Sequence, residues 1–266
     1  MTELTLLTKT YNANQWKQID RLLKLQFEGL DVEAKVAAAA AGRWVQVSLS
    51  GEDEDVATNY LRKEFGFCPV SLENVKKCST LKGYIVNLGK SPDTLLVDVG
   101  VFQPQIVFAT VPLRHLQAVL ADGRKLALKK IAELFGFCND LPINVKVTIL
   151  DMEKKLVEAE LATEQLERFI LWQESLLDRL IVLGSSLKEV KRMLNYSGLD
   201  RDIISIEPLG MFEYALTCKL GTDAAGLISQ VGRNLRNSRF VVFNPRKIKE
   251  IIRLRQNSAQ ENDADL

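Results

Sequence analysis

Hydrophobic residues in the first part of the chain switch between alternating and helical spacing. Leu4 to Lys9 alternates as a strand does, and Asn12 then starts a helix with Gln15 three residues later, the spacing of a capping box. The apolar positions of this helix recur at steps of three and four, at Trp16, Ile19, Leu23, Phe27 and Leu30. Such spacing places one apolar face of the helix against a sheet.

Two more strands, a second helix and a short last strand complete this part of the pattern. Strands are expected over 32–38 and 44–49, and a helix runs from about Glu54 to Gly66, where glycine permits a left-handed turn. A short strand from Phe67 to Val70 completes the order βαββαβ. Residues 1–75 are therefore predicted to form a ferredoxin-like unit.

The same order of elements recurs, without sequence similarity, near the C-terminus. A helix from Glu164 to Leu177 joins this part to the middle of the chain, and Ser186 with Glu189 forms a capping box for a helix that ends at Gly198. The other expected elements are strands at 180–183, 203–207, 212–220 and 239–243, a helix capped by Thr222 that ends near Leu235, and a basic helix at 246–255. Residues 163–255 thus predict a linker helix, a second ferredoxin-like unit and a basic helix, before a disordered acidic tail at 256–266.

Closely spaced strands distinguish the middle of the chain, residues 80–162. Strands are expected at 82–88, 94–99, 106–111, 144–150 and 156–161, with a helical insertion at 124–135. Five short strands of this kind predict a small barrel.

Several phrases of this middle part resemble the OB-fold domains of the ribosomal protein S-one type. Lys82-Gly83-Tyr84-Ile85-Val86-Asn87 resembles the opening strand of that family, and Leu96-Val97-Asp98-Val99-Gly100 resembles its second strand. Ala109-Thr110-Val111-Pro112-Leu113 is similar to the third strand and its exit, and Ile143-Asn144-Val145-Lys146-Val147 with Asp151 is similar to the late strand and turn. The resemblance covers about a third of the chain and implies an OB-like barrel that binds RNA on one face.

The sequence departs from that family where RNA is contacted. The aromatic residue usual on the second strand falls at Leu95 or Leu96, and the histidine usual on the third strand falls at Pro112. The aromatic residues left to stack on bases are Tyr84, Phe102 and Phe108. Packing in the barrel core is the alternative role for each of them.

The whole arrangement also resembles an uncharacterised archaeal family, the domain of unknown function 2110. That resemblance implies a cytoplasmic archaeal protein, and it adds no catalytic residue and no known ligand. The expected fold class is α+β, with a ferredoxin-like N-terminal unit, an OB-like five-stranded barrel that carries a helical insertion, and a ferredoxin-like C-terminal unit.

Composition and charge narrow the classes of function. Hydrophobic residues make up 47% and charged residues 26% of the chain, as in an average soluble domain. The N-terminal residues show no secretory signal, and the longest apolar run is too short to cross a bilayer, so we expect a cytoplasmic protein without membrane contact. Because the net charge is only +1, attraction to an anionic partner depends on local clusters of charge.

The cysteine pattern disfavours a metal site or a redox motif. Cys68, Cys78, Cys138 and Cys218 form no Cys-x-x-Cys pair and are expected to be buried thiols. Two of them end a short repeat, Phe65-Gly66-Phe67-Cys68 and Phe135-Gly136-Phe137-Cys138, that follows a helix each time. We interpret the repeat as two glycine-turned corners, with a disulfide or metal link as the alternative, and we expect no metal and no cofactor.

No constellation of residues predicts catalysis. His115 has neither a nucleophile nor an orienting carboxylate near it in sequence, and we interpret it as a surface or barrel-rim residue. The turn Gly184-Ser185-Ser186-Leu187-Lys188 lacks the first glycine and the Gly-Lys-Ser/Thr ending of a phosphate-binding loop. We therefore predict that the protein is not an enzyme.

Basic residues concentrate in the C-terminal stretch Lys219–Arg255. Nine lysines and arginines there face two acids, a net of 9 − 2 = +7, a density that suits binding to phosphates. A second basic cluster lies on the helical insertion, where packing of its apolar residues would also turn the lysines outward. The basic candidates for contact with nucleic acid are Lys82, Arg114, Arg124, Lys125, Lys129, Lys130, Arg233, Arg236, Arg239, Arg246, Lys247 and Lys249.

The sequence thus favours a non-enzymatic nucleic-acid-binding protein linked to archaeal information processing, with RNA as the preferred ligand and DNA left open. In this hypothesis the barrel supplies stacking surfaces and the C-terminal unit supplies phosphate contacts. The alternative is a protein-interaction or assembly module that docks on a partner such as the transcription or translation machinery. Near-zero net charge favours that alternative.

Overall fold

The computed structural model describes residues 2–37 and 41–251 and has a mixed α+β fold of three units. The elements of the N-terminal unit are β1 (Thr2–Lys9), α1 (Ala13–Gln26), β2 (Glu33–Val36), β3 (Trp44–Ser50) and α2 (Glu54–Glu64). Its sheet has the antiparallel order β1-β3-β2. The apolar faces of both helices cover this sheet, because Ile19, Leu23 and Leu61 are fully buried with Val47 in one core cluster.

The short last strand predicted for this unit differs in the structure. Only Phe67 forms a bridge to β1, through Leu6, and the following β4 (Val70–Ser71) pairs in parallel with a strand of the barrel. The prediction of one continuous strand from Phe67 to Val70 was wrong, because the chain leaves the first sheet and enters the second within these residues.

A closed five-strand barrel forms the middle of the molecule. Its elements are β5 (Thr80–Val86), β6 (Thr94–Gln103), β7 (Val107–Pro112), α3 (Leu113–Leu120), α4 (Leu128–Phe135), β8 (Pro142–Asp151) and β9 (Leu156–Leu161). The strands pair in the order β6-β5-β8-β9-β7, and β6 also pairs with β7, which closes the barrel. All of these pairs are antiparallel except β7 with β9.

The helical insertion of the barrel is longer than predicted. It contains two helices, because α3 begins directly after β7 at residues that the sequence analysis assigned to the exit of a strand. Arg124 and Lys125, which were placed on the inserted helix, instead lie in the loop before α4.

The C-terminal unit follows a helix, α5 (Thr163–Glu174), that packs on the barrel. Its elements are β10 (Arg179–Leu183), α6 (Leu187–Ser197), β11 (Ile203–Pro208), β12 (Glu213–Cys218), α7 (Ala224–Asn234) and β13 (Arg239–Phe243). The antiparallel sheet has the order β11-β12-β10-β13, and residues 245–251 form a further helix.

The structure confirms some of the predicted helix caps and corrects others. Ser186 and Glu189 form the reciprocal capping box that the sequence predicts, and Gly198 ends α6 in a left-handed conformation. The N-cap of α7 is Asp223 rather than Thr222, because the Asp223 carboxylate accepts hydrogen bonds from the amides of Ala225 and Gly226. At α1, Asn12 caps the helix, but the Gln15 side chain accepts from the Tyr11 amide instead of closing a box.

Aromatic packing joins the barrel to the C-terminal unit. The central strands β10 and β12 are buried on both faces, one covered by α6 and α7 and the other by the barrel helices. The rings between barrel and sheet are Phe135, Phe137, Phe169, Trp172 and Phe243. Phe212 of the C-terminal unit belongs to the core cluster of the N-terminal unit, so the three units share apolar cores.

Some sequence predictions lie outside the described residues. These are the end of the basic helix, with Arg253 and Arg255, the acidic tail at 256–266, and the last residue of the strand expected over 32–38. Within the part of the chain that the structure describes, no helix is long and apolar enough to cross a membrane.

Candidate nucleic-acid interface

An arginine pair and a buried carboxylate tie the three units together. Asp140 of the barrel accepts hydrogen bonds from Arg43 of the N-terminal unit and from Arg239 of the C-terminal unit. The Asp140 side chain is only 8% exposed, whereas those of Arg43 and Arg239 are 46% and 50% exposed. Both guanidinium groups therefore keep a solvent-facing side while they hold the units in place.

A second buried acid, Glu213, lies at the same junction. Its carboxylate accepts a 2.7 Å hydrogen bond from the Tyr11 hydroxyl, and its side chain is fully buried. Burial raises the pKa of Glu213 to about 7, against the opposing effects of the Tyr11 hydrogen bond and the nearby Lys82 charge. Burial also lowers the pKa of Lys82, which is half-buried. Lys82 is thus half-buried near the Glu213 charge, and it borders a surface pocket together with Gly210 and Met211 of the C-terminal unit.

The N-terminal unit covers the outer face of the barrel at Tyr84. Lys9 Nζ lies 2.5 Å from Asp98 Oδ2 and 4.7 Å from the centre of the Trp44 ring, and Trp44 packs edge-on against Tyr84. Tyr84 is fully buried in this cluster. Of the two roles that the sequence left open for Tyr84, the structure shows packing, and the fully buried ring is not accessible to a base.

The other two predicted stacking residues border a surface pocket. Phe102 and Phe108 are both half-buried and line a pocket of about 220 Å³ together with Ile106, which is 50% exposed. Arg43 and the Asp140 carboxylate lie on the same pocket, which we call the barrel pocket. The structure therefore brings two aromatic rings and a half-exposed arginine side chain to one place on the barrel.

The basic residues near the helical insertion are partly engaged in contacts within the protein. Arg114 lies 3.5 Å from Glu158, Lys130 lies 3.1 Å from Glu133, and Arg124 donates to the carbonyl of Ile251. Lys125 and Lys129 are exposed. These residues do not border the barrel pocket, so the structure separates them from Phe102 and Phe108.

The C-terminal basic candidates are mostly exposed but do not form one cluster with the barrel pocket. Arg233 and Arg236 lie at the end of α7 and just after it, and Arg246 and Lys247 are exposed on the helix at 245–251. Lys249 is half-buried. Among these candidates, Arg239 alone forms an ion pair with the barrel, through Asp140, in the part of the chain that the structure describes.

A larger cleft, which the sequence analysis missed, separates the N-terminal and C-terminal units. It has a volume of about 410 Å³ and is bordered by the start of α1, the loop before α6, α6 itself and the loop after α7. Arg192 and Tyr196 of α6 line it together with Arg236. The available signal was the run Lys188 to Tyr196, in which Arg192 and Tyr196 are four residues apart on a helix and therefore share a face. We call this site the interunit cleft.

Residues with metal-binding or nucleophilic chemistry are scattered. Within 2–37 and 41–251, no three His, Cys, Asp or Glu residues are grouped so that they could hold a metal ion. His115 is half-buried at the edge of the barrel, where its Nε2 accepts a hydrogen bond from the Leu161 amide, and burial lowers its pKa. All four cysteines are free, and Cys78 is exposed, which corrects the prediction that all four thiols are buried.

The fold and these surfaces define a three-unit α+β protein with a closed barrel at its centre and polar, arginine-bearing junctions between the units. The chain belongs to the DUF2110 family. The DUF2110 N-terminal domain matches residues 3–70, the DUF2110 central domain matches 75–173, and the DUF2110 C-terminal domain matches 177–243.

Other comparisons add little. A comparison with curated proteins gave no match. Among solved structures, the chain is similar to an uncharacterized protein, MJ1198, from Methanocaldococcus jannaschii, at 13% identity, over 34% of this chain and 95% of that one, with a TM-score of 0.23. A similarity this weak carries no argument about fold or function.

Proposed function

We propose that the protein is a non-enzymatic nucleic-acid-binding protein that prefers single-stranded RNA. The observation that carries this proposal is the barrel pocket, which Phe102 and Phe108 line together with Arg43, whose side chain is 46% exposed while its guanidinium group also binds Asp140. Aromatic rings stack on bases of any sequence, and a guanidinium supplies a phosphate contact next to them. A cytoplasmic role in archaeal information processing is part of the same proposal.

The finer identity of the three units supports this function. We infer an OB-type barrel, because five strands close with a parallel pair between the third and fifth and carry helices between the third and fourth. We infer ferredoxin-like flanking units from the βαββαβ order and, in the C-terminal unit, from the sheet order β11-β12-β10-β13. Both kinds of fold recur among nucleic-acid-binding modules, which is an argument by analogy.

Binding to a labelled short single-stranded RNA, measured by fluorescence anisotropy, tests the barrel pocket. Phe102→Ala and Phe108→Ala should each weaken binding about fivefold or more, since a stacked base contributes ~1–3 kcal/mol. The matched control is Leu25→Ala, which trims a 73% exposed apolar residue of α1 and should leave affinity unchanged. Equal affinity of wild type and both phenylalanine variants would show that the pocket binds no base.

A salt series on the same assay tests the basic helix. Charge reversal at Arg246, Lys247 and Lys249 should weaken binding and flatten its dependence on salt, because fewer counterions are released. Reversal of three exposed lysines near the barrel is the control with matched charge; they are Lys76, Lys77 and Lys90. If both triple variants have the same affinity and salt slope, the helix at 245–251 has no part in binding.

The rival function is a protein-interaction module, which a group of exposed leucines favours. Leu176, Leu177 and Leu220 line one small depression, in which Leu176 and Leu220 are 39% and 75% exposed. Exposed apolar residues in a group are typical of docking surfaces. If wild-type protein binds no RNA even at low salt, Leu220→Asp should abolish capture of a partner that wild-type protein retains from cell extract.

A further inference from the structure

The interunit cleft has the size and position of a small-ligand site. Its volume of about 410 Å³ is within the range of pockets that hold small molecules, ~300–1,000 Å³. Asn12 and Asn14 at the start of α1 form one wall, and Gly184 and Ser185 before α6 form another. Such pockets commonly occur where two domains meet, and here the walls come from the N-terminal and C-terminal units.

The charge of the cleft favours an anion. Arg192 and Arg236 are both exposed in the cleft, and neither forms an ion pair with any residue that the structure describes. The one acid in the lining, Glu189, is already bound by the amide and the hydroxyl of Ser186, at 2.8 and 2.7 Å. The N-termini of two helices, α1 and α6, also border the cleft. Asn12 and Ser186 cap amides of their first turns, and the helix dipoles add partial positive charge.

The cleft also offers a stacking surface and amides for recognition of a base. Tyr196 is 84% exposed although its ring is large and apolar, so packing within the protein does not explain its position. Asn14 and Asn237 line the cleft, and their side chains form no hydrogen bonds within the described ranges. A side-chain amide carries both donors and acceptors, which suits the edge of a nucleobase.

We propose that the interunit cleft binds a nucleoside phosphate, with the phosphate on Arg192 and Arg236 and the base on Tyr196. The nucleotide can be free or part of an RNA chain, since both present the same phosphate and base. A chain could continue to the barrel pocket, because Ser238 lines the cleft and the next residue, Arg239, binds Asp140 of that pocket. The cleft and the barrel pocket are nevertheless separate sites with no shared lining residue.

Calorimetric titration with AMP, adenosine and inorganic phosphate tests the cleft. AMP should bind saturably, and adenosine should bind about tenfold more weakly because it lacks the charge-assisted contacts. Arg192→Ala, Arg236→Ala and Tyr196→Ala should each weaken AMP binding about fivefold or more, whereas Tyr196→Phe keeps the ring and should bind as wild type does. Arg21→Ala, at an exposed arginine of α1 outside the cleft, is the control.

Titration with a short oligoadenylate distinguishes the two sources of the nucleotide. Affinity well above that of AMP, and lowered by the same three variants, would support binding of a chain, while equal affinities would support a free nucleotide. Absence of saturable AMP binding, or AMP binding that all three variants leave unchanged, would overturn the proposal. Absence of saturable AMP binding together with RNA binding that depends on Phe102 and Phe108 would overturn the cleft and leave the proposed function intact.

Discussion

Lys9 shows how a single charged residue is made compatible with a buried interface. Lys9 is the last residue of β1, and it is only 2% exposed at the interface with the barrel. Its ammonium group contacts Asp98 of the barrel and the face of Trp44. The Asp98 carboxylate also accepts from the Trp44 indole and the Gly100 amide. Each charge is therefore surrounded by partners, as a charge at a buried site must be.

Removal of the Lys9 charge should destabilise the protein strongly. Lys9→Met leaves the Asp98 charge buried without its counterion, so we expect the free energy of unfolding in urea to fall by about 3–5 kcal/mol. Addition of Asp98→Asn should recover part of the loss, because the uncompensated charge is then gone. Lys35→Met, in an exposed pair with Glu33, is the control and should change stability by less than about 1 kcal/mol. A small loss for Lys9→Met, similar to the control, would contradict this account.

Two glycines with the same backbone conformation end helices in different surroundings. Gly136 ends α4 with φ of 68° and Gly198 ends α6 with the same φ. A Cβ on Gly198 would meet nothing within 4 Å, whereas one on Gly136 would lie 3.3 Å from Ile181 and 3.4 Å from Val241. The corner at Gly136 is therefore packed against the C-terminal sheet, and the corner at Gly198 is open.

Alanine at the two positions should separate conformational strain from crowding. Gly198→Ala should cost about 1–2 kcal/mol, the strain of a left-handed residue with a Cβ. Gly136→Ala should cost more, because the added methyl group also presses on the sheet. Thermal and urea unfolding of the two variants measures the difference. Equal losses would mean that the sheet gives way to the methyl group without cost.

The repeat that contains Gly136 has a structural role at the scale of elements. The glycine adopts positive φ in both Phe65-Gly66-Phe67-Cys68 and Phe135-Gly136-Phe137-Cys138. In each copy the helix ends there and the chain changes direction at a boundary between two units. Cys68 packs with Trp44 and Tyr84 between the first unit and the barrel, and Phe135 and Phe137 pack between the barrel and the last unit. Both copies thus stand at boundaries between units.

At the scale of the whole molecule, buried acids connect all three units. Asp140 of the barrel binds arginines from both flanking units, and Glu213 of the last unit binds Tyr11 of the first and faces Lys82 of the barrel. Because burial raises the pKa of Glu213, stability at this junction depends on pH.

Stability should decrease as Glu213 ionises. Its pKa of about 7 in the folded protein exceeds its ordinary value of 4.5, so the folded state binds this proton more tightly than the unfolded state does. The stabilising contribution of Glu213 is fully present below about pH 4.5, declines as pH rises toward 7 and is lost above that. The free energy of unfolding changes by an amount on the order of 3 kcal/mol over this range.

Comparison with Glu213→Gln isolates this group, because glutamine cannot ionise. We would measure the free energy of unfolding of both proteins in urea from pH 5 to 8. As pH rises, the value for wild type should fall relative to that of the variant. The control Glu33→Gln, at an exposed carboxylate, should run parallel to wild type over that range. Parallel curves for Glu213→Gln would show that burial does not raise the pKa of Glu213.

Local spacing by itself determined most elements of this protein. Periodic apolar positions, capping residues and turn glycines act between neighbours in sequence, and they predicted the Ser186 capping box and the strand at 239–243 with its observed bounds. They also predicted five central strands, which the structure closes into a barrel. Helix α3 escaped prediction, because its short apolar stripe follows directly on a strand.

Only the tertiary structure decided which of these residues face a ligand. Tyr84 and Phe108 are both aromatic residues on barrel strands, so their sequence positions do not distinguish them. In the structure Trp44 of the N-terminal unit covers Tyr84, whereas Phe108 lines the barrel pocket. The interunit cleft likewise exists only because the start of α1 and helix α6, more than 150 residues apart in sequence, border the same space. Spacing along the chain carries no information about contacts between separate units, so the sequence determined the elements and the packing of the units determined the sites.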